Sequence, residues 1–385
     1  MVIQQTPGVY REDVFPARRA ALPTGVAAFL GQTSGGAAGQ PVRLTRFAQL
    51  AEAFGPPLAE RYLAAAVEGF FSNGGRECLV VPLDSSAGAD PEEALDGGLA
   101  ALAVRQDLDL VCAPDLHAVA QSLDQALRMQ SAVLRHCGAQ GDRFALLDAV
   151  PASGLSEVLS QRNGLDASSG DGGANGALYY PWLRPQGGRF VPPCGHIAGV
   201  VARCDQRTGV HKAPANEELL GVVDLEVGLT DAEQALLNPV GINALRAFPG
   251  RGIRVWGART LSRNAAWTYI SVRRLFLTAA RWIEVNLADA AFEPHDTRLW
   301  NRITRELTTY FEGLFAAGAL KGRSAAEAFF VKCDGATNPP EVRETGRVVT
   351  VIGLAPAVPN EFVVVRIIHG AGGVGGLDAV GPSQS

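Results

Sequence analysis

The residues that could bind a metal ion lie between positions 194 and 211. Cys194, His196, Cys204 and His211 offer thiolate and imidazole groups, which are the ligand types that zinc prefers. Their spacings, C-x-H and C-x9-C, match no common zinc-binding pattern, and Cys204 falls at the end of a predicted helix. The sequence therefore predicts no metal site.

A glycine-rich segment, Gly31–Gly39, has the position that a phosphate-binding loop would take. It follows a predicted strand, and Gly31 and Gly36 have the required spacing, but Ala37 and Ala38 replace the lysine and hydroxyl residue. No G-x-S-x-G or H-E-x-x-H motif occurs in the chain. We therefore predict no catalytic residue and no cofactor. The alternative is a cytoplasmic α/β enzyme whose active site has no recognised motif.

The cysteines and the apolar segments indicate a protein that is made in the cytoplasm. Neither a secretory signal at the N-terminus nor an apolar run of transmembrane length is evident, so no membrane insertion is predicted. Scattered cysteines within apolar patterns favour buried free thiols over disulfides. These cysteines are Cys78, Cys112, Cys137, Cys194, Cys204 and Cys333.

Charge is distributed unevenly along the chain. Residues 1–241 carry 17 Lys+Arg and 27 Asp+Glu, a net charge of −10, whereas residues 242–385 carry 17 and 12, a net charge of +5. Arg298, Arg302 and Arg305 share one stripe of a predicted helix, and Arg274 and Arg281 form a second stripe on the preceding helix. We expect this part to attract an acidic partner. Direct binding to nucleic acid is not predicted, because the basic residues lie on helices without interleaved exposed aromatic residues or a known motif, and the pI is about 5.8.

The first two thirds of the chain alternate between predicted strands and helices. The strands are Val26–Leu30, Cys78–Leu83, Leu108–Ala113, Phe144–Val150 and Ala177–Leu183; the helices are Phe47–Phe54, Leu58–Phe71, Pro91–Val104, Leu116–Cys137 and Pro192–Ala202. Such alternation is typical of a mostly parallel sheet that is covered on both faces. The Gly/Ser/Asp-rich run Asp166–Gly176 is predicted to be a mobile surface loop.

The remainder of the chain predicts a compact α+β unit. Asn238–Ser262 begins with an Asn-Pro turn, contains the loop Phe248–Gly252 and the strand Ile253–Ala258, and ends at a predicted N-cap. Thr230 and Glu233 have capping-box spacing. Two helices, Ser262–Leu287 and Asp296–Ala317, precede the predicted strands Ala328–Cys333, Arg347–Leu354 and Glu361–His369.

Several of these stretches together resemble contractile tail sheath proteins of myophages, R-type bacteriocins and phage-tail-like injection systems. Besides Asn238–Ser262, the matching stretches in order are GVHKAPAN (Gly209–Asn216), FEPHDTRLW (Phe292–Trp300), AFFVKCDGATNPPEV (Ala328–Val342) and VVTVIGLAPAVPNEFVVVRI (Val348–Ile367). The resemblance covers nearly the whole chain.

The resemblance implies a structural subunit and not an enzyme. Such subunits polymerise as a helical sheath of stacked rings around an inner tube, between a baseplate and a terminator or cap, and they assemble in the bacterial cytoplasm. It implies an N-terminal arm (1–20), an outer α/β domain (21–237), a sheath core domain that faces the tube (238–369) and a flexible tail (370–385).

Two sets of residues are predicted to make contacts between subunits. The first set belongs to strand arms that adjacent subunits exchange: Val9, Tyr10, Arg11, Val14, Phe362, Val363, Val364, Val365, Arg366 and Ile367. The second set comprises the candidates for facing the tube: Arg274, Arg281, Arg298, Arg302 and Arg305.

Overall fold

A large, mostly parallel sheet dominates the fold. The computed structural model describes residues 22–86, 88–357, 363–369 and 375–380, with the backbone alone for 167–171 and for the last two ranges. The first ten strands are β1 (Ala27–Gly31), β2 (Val42–Leu44), β3 (Cys78–Pro82), β4 (Leu110–Cys112), β5 (Phe144–Asp148), β6 (Gly176–Tyr180), β7 (Leu183–Pro185), β8 (Val222–Leu225), β9 (Ile242–Phe248) and β10 (Gly252–Val255).

Eight of these strands form one sheet in the order β10-β9-β6-β5-β4-β1-β3-β2. Strands β3, β1, β4, β5, β6 and β9 pair in parallel, whereas β2 and β10 pair antiparallel at the two edges. Strands β7 and β8 form a separate two-stranded ribbon. The parallel sheet that the alternating pattern predicts is therefore present, with an antiparallel strand at each edge.

Helices cover both faces of this sheet. They are α1 (Gln49–Phe54), α2 (Leu63–Ser72), α3 (Pro91–Ala103), α4 (Leu116–Val119), α5 (Leu123–Gln140), α6 (Leu155–Ser169), α7 (Cys194–Arg207) and α8 (Asp231–Leu237). One buried cluster joins one face of the sheet to α1, α2 and α7, and a second joins the other face to α3, α5 and α6. Because both faces are buried, strands β1 and β3 are apolar throughout, and β5 is apolar except for Asp148.

The C-terminal part forms a smaller antiparallel sheet with two long helices. Its elements are α9 (Ile270–Asn286), α10 (Thr297–Ala316), α11 (Ala325–Ala328), β11 (Phe329–Lys332), α12 (Pro340–Glu344), β12 (Val348–Leu354), β13 (Val363–His369) and β14 (Gly375–Val380). The strand order is β11-β12-β13-β14. A third buried cluster joins α9, α10, β11 and β12.

The segment Asn238–Ser262 belongs to the large sheet. Ile242–Phe248 is a strand that pairs with β6, and Gly252–Val255 forms the adjoining edge strand. The boundary predicted at residue 238 is therefore wrong, because it cuts through a hydrogen-bonded sheet. Helix α9 begins at Ile270 and not at Ser262, since residues 259–269 form a connector that an Arg259–Tyr269 bridge closes.

The predicted loop Asp166–Gly176 is also not a loop. Helix α6 continues to Ser169, and a 3-10 helix follows at Gly170–Asn175. The glycines permit close packing: a Cβ at Gly173 would lie 3.0 Å from the main-chain oxygen of Leu261. Asp166 contacts both Arg162 and Arg263. Packing and ion pairs therefore outweigh the low helix propensity of this composition.

Three of the predicted helix-end signals are present in the structure. Asp296 accepts hydrogen bonds from the N–H groups of Arg298 and Leu299, and Thr230 with Glu233 forms a complete capping box. Gly318, with a φ of +77°, directly follows the last turn of α10. These local signals are therefore confirmed.

Candidate assembly surfaces and the helix that supports them

Helix α9 connects the two units by packing on both. Ile270 and Leu277 lie in the core on one face of the large sheet. Leu275, Phe276 and Ile283 lie in the core of the smaller unit. A helix that is apolar around its circumference is buried on all sides. The polar groups on α9 must therefore find partners inside the protein.

Arg274 is the centre of a buried ion cluster. Its Nη1 donates to Oδ1 of Asp205 (2.8 Å), and its Nη2 donates to Oδ2 of Asp205 (2.6 Å) and to Oδ2 of Asp109 (2.7 Å). Arg274 is 3% exposed. Oδ1 of Asp109 also accepts from the N–H of Val26 (2.8 Å). The cluster thus connects α9 with α7 and with the segments that enter β1 and β4.

The electrostatics of this cluster follow from its composition. Burial lowers the pKa of Arg274, but the attraction of Asp205 and Asp109 outweighs that effect and raises it. Burial raises the pKa of Asp205, and the attraction of Arg274 opposes this rise. One guanidinium faces two carboxylates, so its removal would leave both carboxylates uncompensated in the core.

Two further arginines hold α9 against the large unit. Arg281 donates from Nη1 to the main-chain oxygen of Leu108 (2.8 Å) and from Nη2 to that of Pro23. Arg273 donates to Oδ1 of Asn175 (2.7 Å) and stacks over Trp267. Arg281 is 1% exposed. The prediction that Arg274 and Arg281 form a tube-facing stripe is therefore wrong, because both side chains are buried.

The three arginines of α10 have different environments. Arg302 contacts three carboxylates, those of Asp289 (2.6 Å), Glu293 and Glu306 (3.1 Å). Arg298 and Arg305 are exposed, and neither has an ion-pair partner within the described residues. Of these three arginines, Arg298 and Arg305 are therefore the two that are available to contact another molecule.

Two stretches that carry the family resemblance, Gly209–Asn216 and Asn238–Ser262, meet at the edge of the large sheet. The N–H of Asn216 donates to the main-chain oxygen of Val255 (2.7 Å), so residues 216–219 run beside β10. Arg251 donates to Oδ1 of Asn216 (2.9 Å), and Arg254 donates to its main-chain oxygen (2.7 Å). This segment covers the edge strand and orients two arginines at the surface.

The predicted strand arms are only partly described. Val363–Ile367 lie in β13, which pairs with β12 and β14 of the same chain. Val9, Tyr10, Arg11, Val14 and Phe362 lie outside the described residues. A single chain does not test strand exchange between subunits, which stays a prediction.

The segments that were considered as phosphate-binding or metal-binding sites make structural contacts instead. The N–H of Gln32, in the glycine-rich segment, donates to Oδ2 of Asp115 (2.8 Å). The N–H of Cys194, at the start of α7, donates to Oδ1 of Asp148 (2.8 Å). All six cysteines are free and buried. Among the described residues there is no metal-binding group of three or more His, Cys, Asp or Glu, and no helix long and apolar enough to cross a membrane.

Comparisons of sequence and of structure with known proteins indicate the same family. Residues 88–261 match the family model described as the phage tail sheath protein central domain. A 184-residue stretch is 29% identical to the tail sheath protein of Vibrio phage KVP40, and it covers 47% of this chain but 26% of that protein. The matched region spans between a quarter and about a third of the length of four curated phage relatives.

Two solved sheath structures match the chain almost from end to end. The helical sheath of the anti-feeding prophage (AFP) in its contracted state is 30% identical, with a TM-score of 0.74, and the match covers 94% of this chain and 98% of that chain. The contracted PVC sheath of an extracellular contractile injection system is 26% identical, with a TM-score of 0.74, over 94% and 97%. The chain belongs to the family of contractile tail sheath proteins.

Proposed function

We propose that this chain is the structural subunit of a contractile sheath, which polymerises helically around an inner tube and contracts to drive the tube through a target envelope. The observation that supports this most strongly is the match to the AFP and PVC sheath chains over more than nine tenths of both partners. The alternative of an α/β enzyme finds no support among these relatives.

The work of contraction would come from the lattice. A sheath assembled in an extended state is kinetically trapped, and a trigger at the baseplate releases it to a state with better contacts between subunits. Small gains per subunit add up over many copies, so no nucleotide is consumed. We infer assembly in the bacterial cytoplasm, with baseplate and terminator proteins at the ends.

Helix α9 suits this role because it makes each subunit a stiff body. Both units pack on it, and the Arg274 cluster and the Arg281 hydrogen bonds tie it to the large sheet. A displacement at one unit is then transmitted to the other. Large rearrangements of the lattice would therefore proceed by rotation of whole subunits.

Exchanged strands would keep neighbouring subunits linked during this rotation. We infer that residues 9–14 of one subunit add to the smaller sheet of another, near residues 363–367. Deletion of residues 1–15 should leave a folded monomer that forms no tubes. Normal tubes from the truncated chain would exclude the arm as a connector.

The tube would meet the smaller unit, and the large sheet would lie outward. Arg298 and Arg305 support this placement, because they are the exposed arginines of α10 that lack an ion-pair partner within the described part of the chain. Electrostatic contacts of this kind give orientation and register more than affinity.

Electron microscopy of the purified protein tests the proposal. Tubes or stacked rings are expected at high protein concentration. Discrete globular particles under every assembly condition would instead favour the enzyme alternative.

A further inference from the structure

The loop between α9 and α10 displays an aromatic side chain to solvent. Phe292 has a relative exposure of 103%. Its φ is +68°, in the left-handed region that aromatic residues rarely adopt. Backbone conformations of this kind cost on the order of 1–3 kcal/mol and persist only where surrounding contacts impose them. Neither the exposure nor the conformation of Phe292 stabilises the isolated subunit.

Arg302 provides the contacts that hold this loop. Its guanidinium binds Asp289, which precedes Phe292 in the chain, and Glu293, which directly follows it. Main-chain hydrogen bonds from Ala291 to Ala288 (3.3 Å) and from Glu293 to Ala290 (3.4 Å) tighten the same turn. The backbone that carries Phe292 is therefore held in place before any partner arrives, which lowers the ordering cost of binding.

The surroundings of Phe292 are acidic. Asp289 and Glu293, with side-chain exposures of 63% and 38%, both pair with the single guanidinium of Arg302, which Glu306 also contacts. An aromatic ring with an acidic rim fits a partner surface that is basic and that can contact a ring face.

The same chain carries such a surface at the opposite unit. Arg203, Arg207 and Lys212 all approach the carboxylate of Glu217, at 3.8, 3.8 and 3.9 Å. Beside them, Asn216 orients Arg251 and Arg254. We call this the basic edge surface: Arg203, Arg207, Lys212, Arg251 and Arg254, with the acidic residues Glu217 and Glu218. Five cations against two carboxylates leave it positive.

Aromatic contacts already exist at the basic edge surface. The guanidinium groups of Arg246 and Arg251 lie 5.4 and 5.6 Å from the ring centroid of Phe248. Trp256 packs against the same ring, with 4.6 Å between centroids. A further ring can stack on the face of the exposed Arg251 guanidinium that points away from Phe248, an interaction worth about 0.5–2 kcal/mol.

We propose that Phe292 of one copy docks on the basic edge surface of a second copy of this chain. Charge complementarity supports this occupant, because the acidic rim and the basic surface belong to one sequence. The contact is heterologous, so it can repeat from copy to copy without closing on itself. The inference rests on the proposed polymerisation and is independent of any contact with the tube.

Two variants test the two sides of this contact. Phe292→Asn removes the ring, and asparagine tolerates the left-handed φ. Arg251→Glu reverses a charge on the basic edge surface. Each variant, without tube protein, should raise the critical concentration for polymerisation at least tenfold in a sedimentation assay, with an unchanged Tm. Leu236→Asn is the control, because Leu236 is 57% exposed on α8 and belongs to neither surface.

Mixing the two variants tests whether Phe292 of one copy contacts the basic edge surface of another. Each retains the side that the other lacks, so at a concentration below the raised critical concentration of either variant a mixture should form 1:1 complexes by light scattering. Normal polymerisation by Phe292→Asn, or no complex in the mixture, would each overturn the inference. If the wild-type chain forms no polymer, the proposed function fails, and the mixing result still decides the Phe292 contact.

Discussion

Removal of the buried guanidinium of Arg274 should destabilise the subunit strongly. Arg274→Met keeps most of the side-chain volume but leaves Asp109 and Asp205 without their shared cation. Three hydrogen bonds of 2.6–2.8 Å are lost. Breaking one partner of a buried ion cluster costs about 3–5 kcal/mol, because the remaining charges stay desolvated. We expect a loss of that size in the free energy of unfolding.

Urea denaturation of the monomeric protein, followed by tryptophan fluorescence, measures this effect. The matched control is Arg298→Met, which removes the same group from an exposed site and should change stability by no more than about 0.5 kcal/mol. Adding Asp205→Asn to Arg274→Met should restore part of the loss, because one of the two uncompensated charges disappears. A loss below about 1 kcal/mol for Arg274→Met would refute the structural role given to this cluster.

Three further predictions concern other sites. Burial raises the pKa of Asp148 from 3.8 to about 7, so between these pH values the folded state retains a proton that the unfolded state loses. The free energy of unfolding should therefore fall as pH rises from about 4 to 7. In Asp148→Asn, thermal unfolding at several pH values should show this slope reduced by up to about 1.4 kcal/mol per pH unit. Gly195→Ala should destabilise the contact between α2 and α7, because the new Cβ would lie 2.2 Å from the main-chain oxygen of Ala66. Gly313→Ala, whose Cβ would have no atom within 4 Å, should instead stabilise α10 by up to about 1 kcal/mol. Denaturant titrations measure both changes. Arg298→Glu with Arg305→Glu should give sheaths without tubes in electron micrographs of co-expressed proteins, and normal filling would contradict the tube-facing placement.

The strands of the large sheet were predictable because they are buried on both faces. The run Cys78–Leu83 is apolar throughout, and Phe144–Val150 is apolar except for Asp148; the structure places strands at both. Strand β9 was missed because it lies between an Asn-Pro turn and a glycine loop, and because its parallel partner β6 is more than 60 residues away in sequence. Pairing over that distance leaves no local signal.

The arginine stripe of α9 was misplaced for a related reason. Helical spacing puts Arg274 and Arg281 on one face, and a charged face is usually solvated. The sequence contained a contrary signal, since Ile270 and Leu277 lie away from the main apolar stripe and indicate a helix that is buried on all sides. The separation of Arg302 from Arg298 and Arg305 depends on the position of the 288–293 loop, which helical periodicity does not contain.

Imaging of assembled particles before and after a trigger tests the central claim most directly. Particles built from this chain are imaged by electron microscopy, first as assembled and then after mild denaturant or acid. We expect sheaths that become shorter and wider while the number of subunits per particle stays constant. Filaments that keep their length and diameter until they dissolve into monomers would contradict it.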